Sequence, residues 1–132
     1  AGARAMRQFR AQIPTEDADF LYVVNVFRAE NRSAEGALDS LRSIEAALSM
    51  RVTGLVNNSH LLDETTVEHV LLGDGVCREI GALSDQLPTQ YVSAVPRIVE
   101  QLPDHVMGTR IEIGQYLREE WMRGGNAHLP PR

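Results

Sequence analysis

Two adjacent asparagines, Asn57 and Asn58, stand at the end of an apolar run and carry side chains suited to recognising a purine base. A carboxamide offers one acceptor oxygen and two donor hydrogens, which match the N7 acceptor and the N6 donor of adenine in a planar pair. The same residues, followed by Ser59, also suit a polar turn that ends a strand, because asparagine tolerates turn geometry and bonds its own backbone. Taken alone, these residues favour the turn.

A second candidate, Pro96 and Arg97, follows another apolar run. A loop arginine can stack on a base or pair with phosphate, whereas the plainer interpretation is a solvated arginine after a proline that ends a strand. Arg28 and Arg32 have two similar interpretations. They could contact a phosphate or a partner, or they could be solvated residues of a loop that enters a helix. For both pairs the plainer interpretation is the favoured one.

Other side chains that could do chemistry have simpler explanations. His60, Asp63, Glu64 and His69 bear groups that bind metals, but their spacing fits no zinc pattern. Asp63 and Glu64 also precede a helical pattern, whose amino end favours negative charge, so we expect helix entry and no metal site. Cys77 lies on an apolar stripe, which predicts a buried structural cysteine. No nucleophile elbow or triad is recognisable, and no catalytic residue is predicted.

Three apolar runs have the composition of strands, and a helical pattern follows each one. The runs are 19–27, 51–58 and 91–95. The first is nearly continuous in β-branched and aromatic residues, which is typical of a central strand buried on both faces of a parallel sheet. Strand and helix in alternation predict an α/β, Rossmann-like fold with a parallel sheet and right-handed crossover helices.

The first two helices have clear sequence patterns. Apolar residues recur at helical spacing over 34–48, with Glu35 in the first turn, where the helix dipole favours an acidic side chain. Residues 65–68, Thr-Thr-Val-Glu, match a capping box and predict that the second helix starts at Thr65.

The later boundaries are less regular. The stripe of the second helix continues to Leu87 past the glycines of 73–75, which cost about 1 kcal/mol each relative to alanine and allow a kink or a break. A final helix is predicted over 104–121, burying Trp121. Residues 1–18 are expected to form an N-terminal helix or linker, and 123–132 a disordered tail.

Length and charge limit the remaining functions. The chain has 132 residues, enough for a single domain, and the net charge of −5 offers no basic surface to nucleic acid. One cysteine cannot form an internal disulfide, and no apolar stretch reaches the roughly 18 residues that cross a bilayer. No signal sequence is recognised, so a cytoplasmic location is expected.

Three segments resemble the ParA/MinD ATPases, a family of P-loop NTPases related to the nitrogenase iron protein. Residues 54–59, Gly-Leu-Val-Asn-Asn-Ser, resemble the strand end whose asparagine recognises adenine. Residues 95–99, Val-Pro-Arg-Ile-Val, resemble the proline-containing loop that closes over the base. Residues 23–28, Val-Val-Asn-Val-Phe-Arg, resemble the strand that follows the family's second switch.

The resemblance implies the C-terminal half of a P-loop NTPase domain. It implies a nucleotide site that includes Asn58 as the first candidate for the base, Asn57 as its rival, and Pro96 and Arg97 beside them. It further implies ATP and magnesium as cofactors of a full-length parent, and a nucleotide-dependent homo-oligomer.

The phosphate-binding loop of that family is missing from this chain. No Gly-x-x-x-x-Gly-Lys-Ser/Thr run occurs, and Ala1–Arg4 resemble the stretch that follows the family's switch II motif. We therefore expect a truncated, proteolytic or split form that hydrolyses nothing alone and binds nucleotide weakly or not at all. The alternative is a non-catalytic α/β protein-interaction module that has lost its nucleotide site. A Gly-Lys-Thr/Ser loop encoded upstream of Ala1 would favour the first interpretation.

Overall fold

The computed structural model describes residues 18–114, together with Arg7 and Ala11. Within this range the elements are β1 (Leu21–Val24), α1 (Ala34–Leu48), β2 (Gly54–Asn57), α2 (Val67–Leu83), β3 (Thr89–Ala94), the single-turn α3 (Pro96–Val99) and β4 (Thr109–Glu112). Two 3-10 turns, Ala29–Asn31 and Leu62–Glu64, precede α1 and α2. The predicted N-terminal helix or linker, the helix end at Trp121 and the C-terminal tail lie outside the described residues.

The described strands form one parallel sheet in the order β1-β2-β3-β4. Each crossover leads to the next strand in the same direction, and right-handed crossovers in such a series place their helices on one face of the sheet. Helices α1 and α2 do share a hydrophobic cluster, in which Tyr22 and Val24 of β1 and Leu55 of β2 meet them. The predicted α/β fold with a parallel sheet is confirmed.

Helix α1 forms where the apolar spacing predicts it. Its first turn is capped by Ser33, whose Oγ accepts a hydrogen bond of 3.1 Å from the Gly36 N–H, and Glu35 lies in that turn. The buried face carries Ala34, Ala37, Leu38, Leu41 and Leu48. Full burial of each leucine contributes about 1.5–3 kcal/mol, so this face anchors α1 on β1 and β2.

Helix α2 begins one residue later than predicted, with Thr66 as its cap. The Thr66 N–H donates to His69 Nδ1 at 3.1 Å, so the histidine takes the place of the glutamate in the capping box. Thr65 is buried and belongs to the preceding turn, where its Oγ1 accepts from the Leu61 N–H at 2.8 Å. Because its hydroxyl is engaged there, Thr65 cannot cap the helix.

The glycines of α2 do not break it. The helix is continuous to Leu83, and Gly73 packs against β2 and the loop that follows. A Cβ at position 73 would lie 2.2 Å from Asn57 Oδ1 and 2.3 Å from Ser59 Oγ. A glycine is therefore what allows the helix to approach the end of β2 so closely. Leu87 lies beyond the helix but packs against the same core.

The predicted helix over 104–121 is wrong in its described part. Residues 109–112 form β4, which pairs in parallel with β3, and the Ile113 N–H donates to the Ala94 carbonyl at 3.0 Å. Gly108 adopts a φ of +101° and lies against the backbone of β3, a conformation that disfavours a helix through this point. The spacing of Val106 and Ile113 resembles a helical stripe only by coincidence.

The prediction of β1 as a central strand buried on both faces is also wrong for the described sheet. Among the described strands, β1 lies at an edge of the sheet. Tyr22 and Val24 are buried beneath α1, but Val23, which points to the opposite face, is 52% exposed. Its apolar composition therefore reflects one buried face and one exposed face.

None of the helices in the described part of the chain has the length and apolar character to cross a membrane.

Candidate functional site

The carboxyl ends of β1 and β2 are held together by Asn25. Its Oδ1 accepts hydrogen bonds from the N–H groups of Phe27 at 3.1 Å and His60 at 3.3 Å, and its Nδ2 donates to the His60 carbonyl at 3.4 Å. The Asn58 N–H donates to the Val24 carbonyl at 2.8 Å. The loops after the two strands therefore form one connected edge, where parallel sheets most often bind ligands.

Asn58 is half-buried directly after β2 and faces β3. Its Oδ1 accepts a hydrogen bond of 2.9 Å from the Ser93 hydroxyl, and within the described residues its Nδ2 has no hydrogen-bond partner. A carbonyl oxygen has two lone pairs, so Asn58 retains one acceptor position and both donor hydrogens. Ser93 orients the amide without exhausting its hydrogen-bonding capacity.

Asn57 lies on the other face of the sheet and is completely buried. Its Nδ2 donates to the Val70 carbonyl in α2 at 3.1 Å, and its Oδ1 lies beneath Gly73 and has no hydrogen-bond partner among the described residues. The alternation of side chains along a strand thus separates the two asparagines. Asn57 connects the sheet to α2, and Asn58 is the one that remains accessible.

A cleft of about 330 Å³ opens beside Asn58 at the end of β1. Its walls include Tyr22, Asn25, Asn31, Asn58 and His60, with Arg28 at the mouth. Ligand pockets commonly measure about 300–1,000 Å³, so this cleft has room for a heterocyclic base or a small nucleoside. The lining is rich in amide, hydroxyl and imidazole groups that can donate or accept hydrogen bonds.

Tyr22 forms the polar floor of the cleft. Its hydroxyl donates to Asn31 Oδ1 at 2.8 Å. Burial raises the pKa of Tyr22, the Ser40 hydrogen bond lowers it, and the charge of Glu30 raises it. The phenol therefore stays protonated at neutral pH and serves as a fixed donor.

Arg28 supplies positive charge at the mouth of the cleft. Its Nε lies 3.8 Å from Glu30 Oε1, and both side chains are well exposed, at 70% and 49%. Such a surface ion pair contributes little, so an incoming anion can compete for the guanidinium at small cost.

Pro96 and Arg97 lie away from the cleft, at the end of β3. Pro96 is the first residue of α3, and both side chains are exposed. Arg97 Nη2 lies 3.4 Å from the carbonyl oxygens of Asp63 and Thr65, so it connects this turn to the loop before α2. The structure thus brings Arg97 to the β2–α2 loop but not to the walls around Asn58.

The remaining candidates have structural positions. His69 caps α2 and packs edge-on against the Phe27 ring at 4.9 Å, and no group of three metal-binding side chains occurs among the described residues. Cys77 is buried, and its thiol has a pKa raised to about 12. Burial is the main cause, the charge of Asp74 raises the pKa further, and a hydrogen bond from Thr89 partly lowers it. A protonated, buried thiol is a poor nucleophile.

The sequence predicted that ligands lie beside the segments after the strands, which include Asn25 and His60, but it assigned neither residue to the nucleotide site and gave no role to Tyr22. Asn25 occupies the position after β1 that Asn58 occupies after β2, and this equivalence is the signal that could have assigned it to the site. The Tyr22 to Asn31 bond joins residues in different elements and has no local signature.

Comparisons with protein-family models, with curated proteins and with solved structures gave no match.

Proposed function

We propose that this chain is the C-terminal part of a ParA/MinD-like nucleotide-binding protein and supplies the side of the site that recognises adenine. Asn58 reads the base in this proposal. The supporting observation is its geometry: a half-buried amide at the carboxyl edge of a parallel sheet, held by Ser93 at 2.9 Å, with its Nδ2 unengaged within the described residues and an open cleft beside it.

The amide matches adenine in both directions. Nδ2 can donate to N7 while the second lone pair of Oδ1 accepts from N6, and guanine, which carries an acceptor at the equivalent position, loses one of these bonds. Asn57 has a structural role instead, because it is buried under α2. Asn25 and His60 would form the adjoining wall of the base pocket.

The chain alone carries out no hydrolysis in this proposal. ATP and magnesium act only in a parent that also supplies a phosphate-binding loop, since the backbone amides and lysine of such a loop provide most of the affinity for triphosphate. Among the described residues that line the cleft, Arg28 is the only arginine, and one exposed arginine cannot replace that cradle. Binding of ATP to this chain should be millimolar or weaker.

The experiment compares ATP and GTP binding in a longer form that contains the phosphate loop. Asn58→Ala should weaken ATP binding by about 1–3 kcal/mol and GTP binding by less, because adenine loses two bonds to the amide and guanine only one. Arg97→Ala is the matched control on a neighbouring loop and should not alter the preference between the two bases. Equal losses for ATP and GTP in the Asn58 variant would remove its assigned role.

A non-catalytic interaction module is the second candidate. The observation that favours it is the apolar edge of β1, which no described strand covers and where Val23 is 52% exposed. Absence of any base preference in the longer form, together with specific binding of a protein at this edge, would support this candidate over the first.

A further inference from the structure

Asn31 presents an unused amide donor to the cleft beside Asn58. The residue is only 4% exposed, and its Oδ1 accepts from the Tyr22 hydroxyl at 2.8 Å. Its Nδ2 has no hydrogen-bond partner among the described residues, yet it is not sealed in the interior, where Asn57 Oδ1 is the one unpartnered side-chain polar atom that the described residues contain. Asn31 lines the cleft, so its free donor opens into it. Buried amides normally have partners, and we expect this donor to bind an acceptor in the cleft.

Glu30, the neighbour of Asn31, supplies an acceptor at the same place. Both residues belong to the 3-10 turn Ala29–Asn31, and both line the cleft. The Glu30 carboxylate is half exposed, and its ion pair with Arg28 is long, at 3.8 Å. An ionised carboxylate only accepts hydrogen bonds, whereas the amide nitrogen of asparagine only donates them. The turn therefore offers an acceptor and a donor on consecutive residues.

The turn is fixed in relation to the strands and to α1. The Arg28 N–H donates to the Asn25 carbonyl at 2.9 Å, and the Asn31 N–H donates to the Arg28 carbonyl at 3.0 Å. The Asn25 side chain in turn joins the loops after β1 and β2. A Cβ at Gly36 would lie 3.0 Å from the Glu30 carbonyl oxygen, so the start of α1 packs closely against the turn. The donor and the acceptor are thus held in place before a ligand binds, which lowers the entropic cost of binding.

A ribose matches this pair of groups beside a site for adenine. Its 2′ and 3′ hydroxyls are adjacent, and each can both donate and accept a hydrogen bond. One hydroxyl can donate to the Glu30 carboxylate while the other accepts from Asn31 Nδ2. A phosphate does not match, because it is repelled by Glu30 and brings no hydrogen to the carboxylate. With the base assigned to Asn58, the ribose is the part of a nucleotide that lies next to the base.

From these observations we propose that Glu30 and Asn31 bind the ribose hydroxyls, so that the cleft takes ribonucleotides in preference to 2′-deoxyribonucleotides. This inference rests on the nucleotide site proposed above and adds to it the sugar of the ligand. Asn58 distinguishes the bases, whereas Glu30 and Asn31 distinguish the sugars. The two preferences can therefore be measured separately.

A titration of the isotope-labelled 132-residue chain with four nucleotides, followed by nuclear magnetic resonance, measures both preferences. The ligands are AMP, GMP and their 2′-deoxy forms, dAMP and dGMP. The dissociation constant of dAMP should be at least about fivefold higher than that of AMP, because dAMP lacks a hydroxyl that bonds an ionised group or a buried amide. The same ratio should hold between dGMP and GMP. AMP should also shift the Asn31 side-chain amide signals, and dAMP should shift them less.

Two variants and a matched control assign the sugar preference to the turn. Glu30→Ala removes the acceptor and should bring the ratio between dAMP and AMP close to one. Asn31→Asp keeps an oxygen for the Tyr22 hydroxyl but removes the amide donor, and it should also lower the ratio. Glu35→Ala should retain the ratio, because Glu35 is an exposed carboxylate in the first turn of α1 and does not line the cleft. Each ratio compares two ligands on one variant, so a general change in stability cancels.

The outcomes separate this inference from the assignment of the base. Equal affinities for AMP and dAMP in the wild type overturn the ribose proposal, even where AMP is preferred over GMP. Equal affinities for AMP and GMP, with both ribonucleotides still preferred, support the ribose proposal and remove the role of Asn58.

Four further results would also overturn the ribose proposal. The first is a sugar preference that survives both Glu30→Ala and Asn31→Asp, and the second is one that Glu35→Ala abolishes. The third is binding of ribose 5-phosphate as tightly as AMP, because the occupant is then a sugar phosphate and not a nucleotide. The fourth is the absence of binding by all four nucleotides.

Discussion

Replacing Gly73 with alanine should destabilise the protein, although alanine is the better helix former. The added Cβ would lie 2.2 Å from Asn57 Oδ1 and 2.3 Å from Ser59 Oγ, so α2 or the end of β2 must move. Overpacking of this kind costs about 1–3 kcal/mol. Displacement also breaks the bond from Asn57 to the Val70 carbonyl and leaves buried polar groups unpaired, at about 1–3 kcal/mol. The gain in helix propensity is only about 1 kcal/mol.

The expected net loss in the free energy of unfolding is about 1–5 kcal/mol. Gly75→Ala is the internal control, because a Cβ at that exposed position meets nothing within 4 Å. It should stabilise the same helix by about 0.5–1 kcal/mol. Urea denaturation followed by circular dichroism measures both variants at once. If Gly73→Ala is as stable as the wild type or more stable, the close packing of α2 on β2 does not require glycine at position 73.

Three further changes test other parts of the fold. Asp74→Ala removes the buried carboxylate that accepts a hydrogen bond of 2.9 Å from the Met107 N–H. The free energy of unfolding, measured by urea denaturation, should fall by about 2 kcal/mol. An unchanged denaturation midpoint would show that this link between α2 and the loop before β4 is dispensable. Tyr22→Phe leaves Asn31 Oδ1 buried without its donor, so the free energy of unfolding should fall by about 1–2 kcal/mol by the same measurement. An unchanged free energy would mean that water replaces the hydroxyl. Burial raises the pKa of Cys77 from 9.0 to about 12, so the thiol ionises at lower pH in the unfolded chain than in the folded one. The free energy of unfolding should therefore be unaffected below pH 9 and should decline by up to about 4 kcal/mol between pH 9 and pH 12. Cys77→Ala should flatten that decline, and an identical pH profile would exclude the thiol as its source.

The elements that sequence periodicity predicted well are those with long or strongly apolar patterns. Helix α1 has fifteen residues and one continuous apolar face, so its position agreed with the prediction. β4 was missed because four residues, Thr-Arg-Ile-Glu, give little alternation to recognise, and their pairing with β3 is a tertiary contact. The edge position of β1 depends on sheet order, which the composition of a single strand does not report.

The candidate site was predictable in position more than in detail. Both asparagines were identified because they lie at the end of a strand pattern. The face of the sheet to which each side chain points depends on strand register: Asn57 points to α2 and Asn58 to Ser93. The bonds from Asn25 to His60 join positions 35 residues apart and leave no local pattern. The placement of Arg97 against the β2–α2 loop is likewise a tertiary contact.

The most direct test of adenine recognition is a titration of the isotope-labelled 132-residue chain with AMP, and separately with GMP, followed by nuclear magnetic resonance. AMP at millimolar concentration should shift the Asn58 side-chain amide signals and the backbone signals of Asn25 and His60, and GMP should shift them much less. Asn58→Ala should abolish the difference between the two nucleotides. Equal shifts with AMP and GMP, or shifts confined to residues outside the cleft, would contradict the assignment of Asn58 to the base.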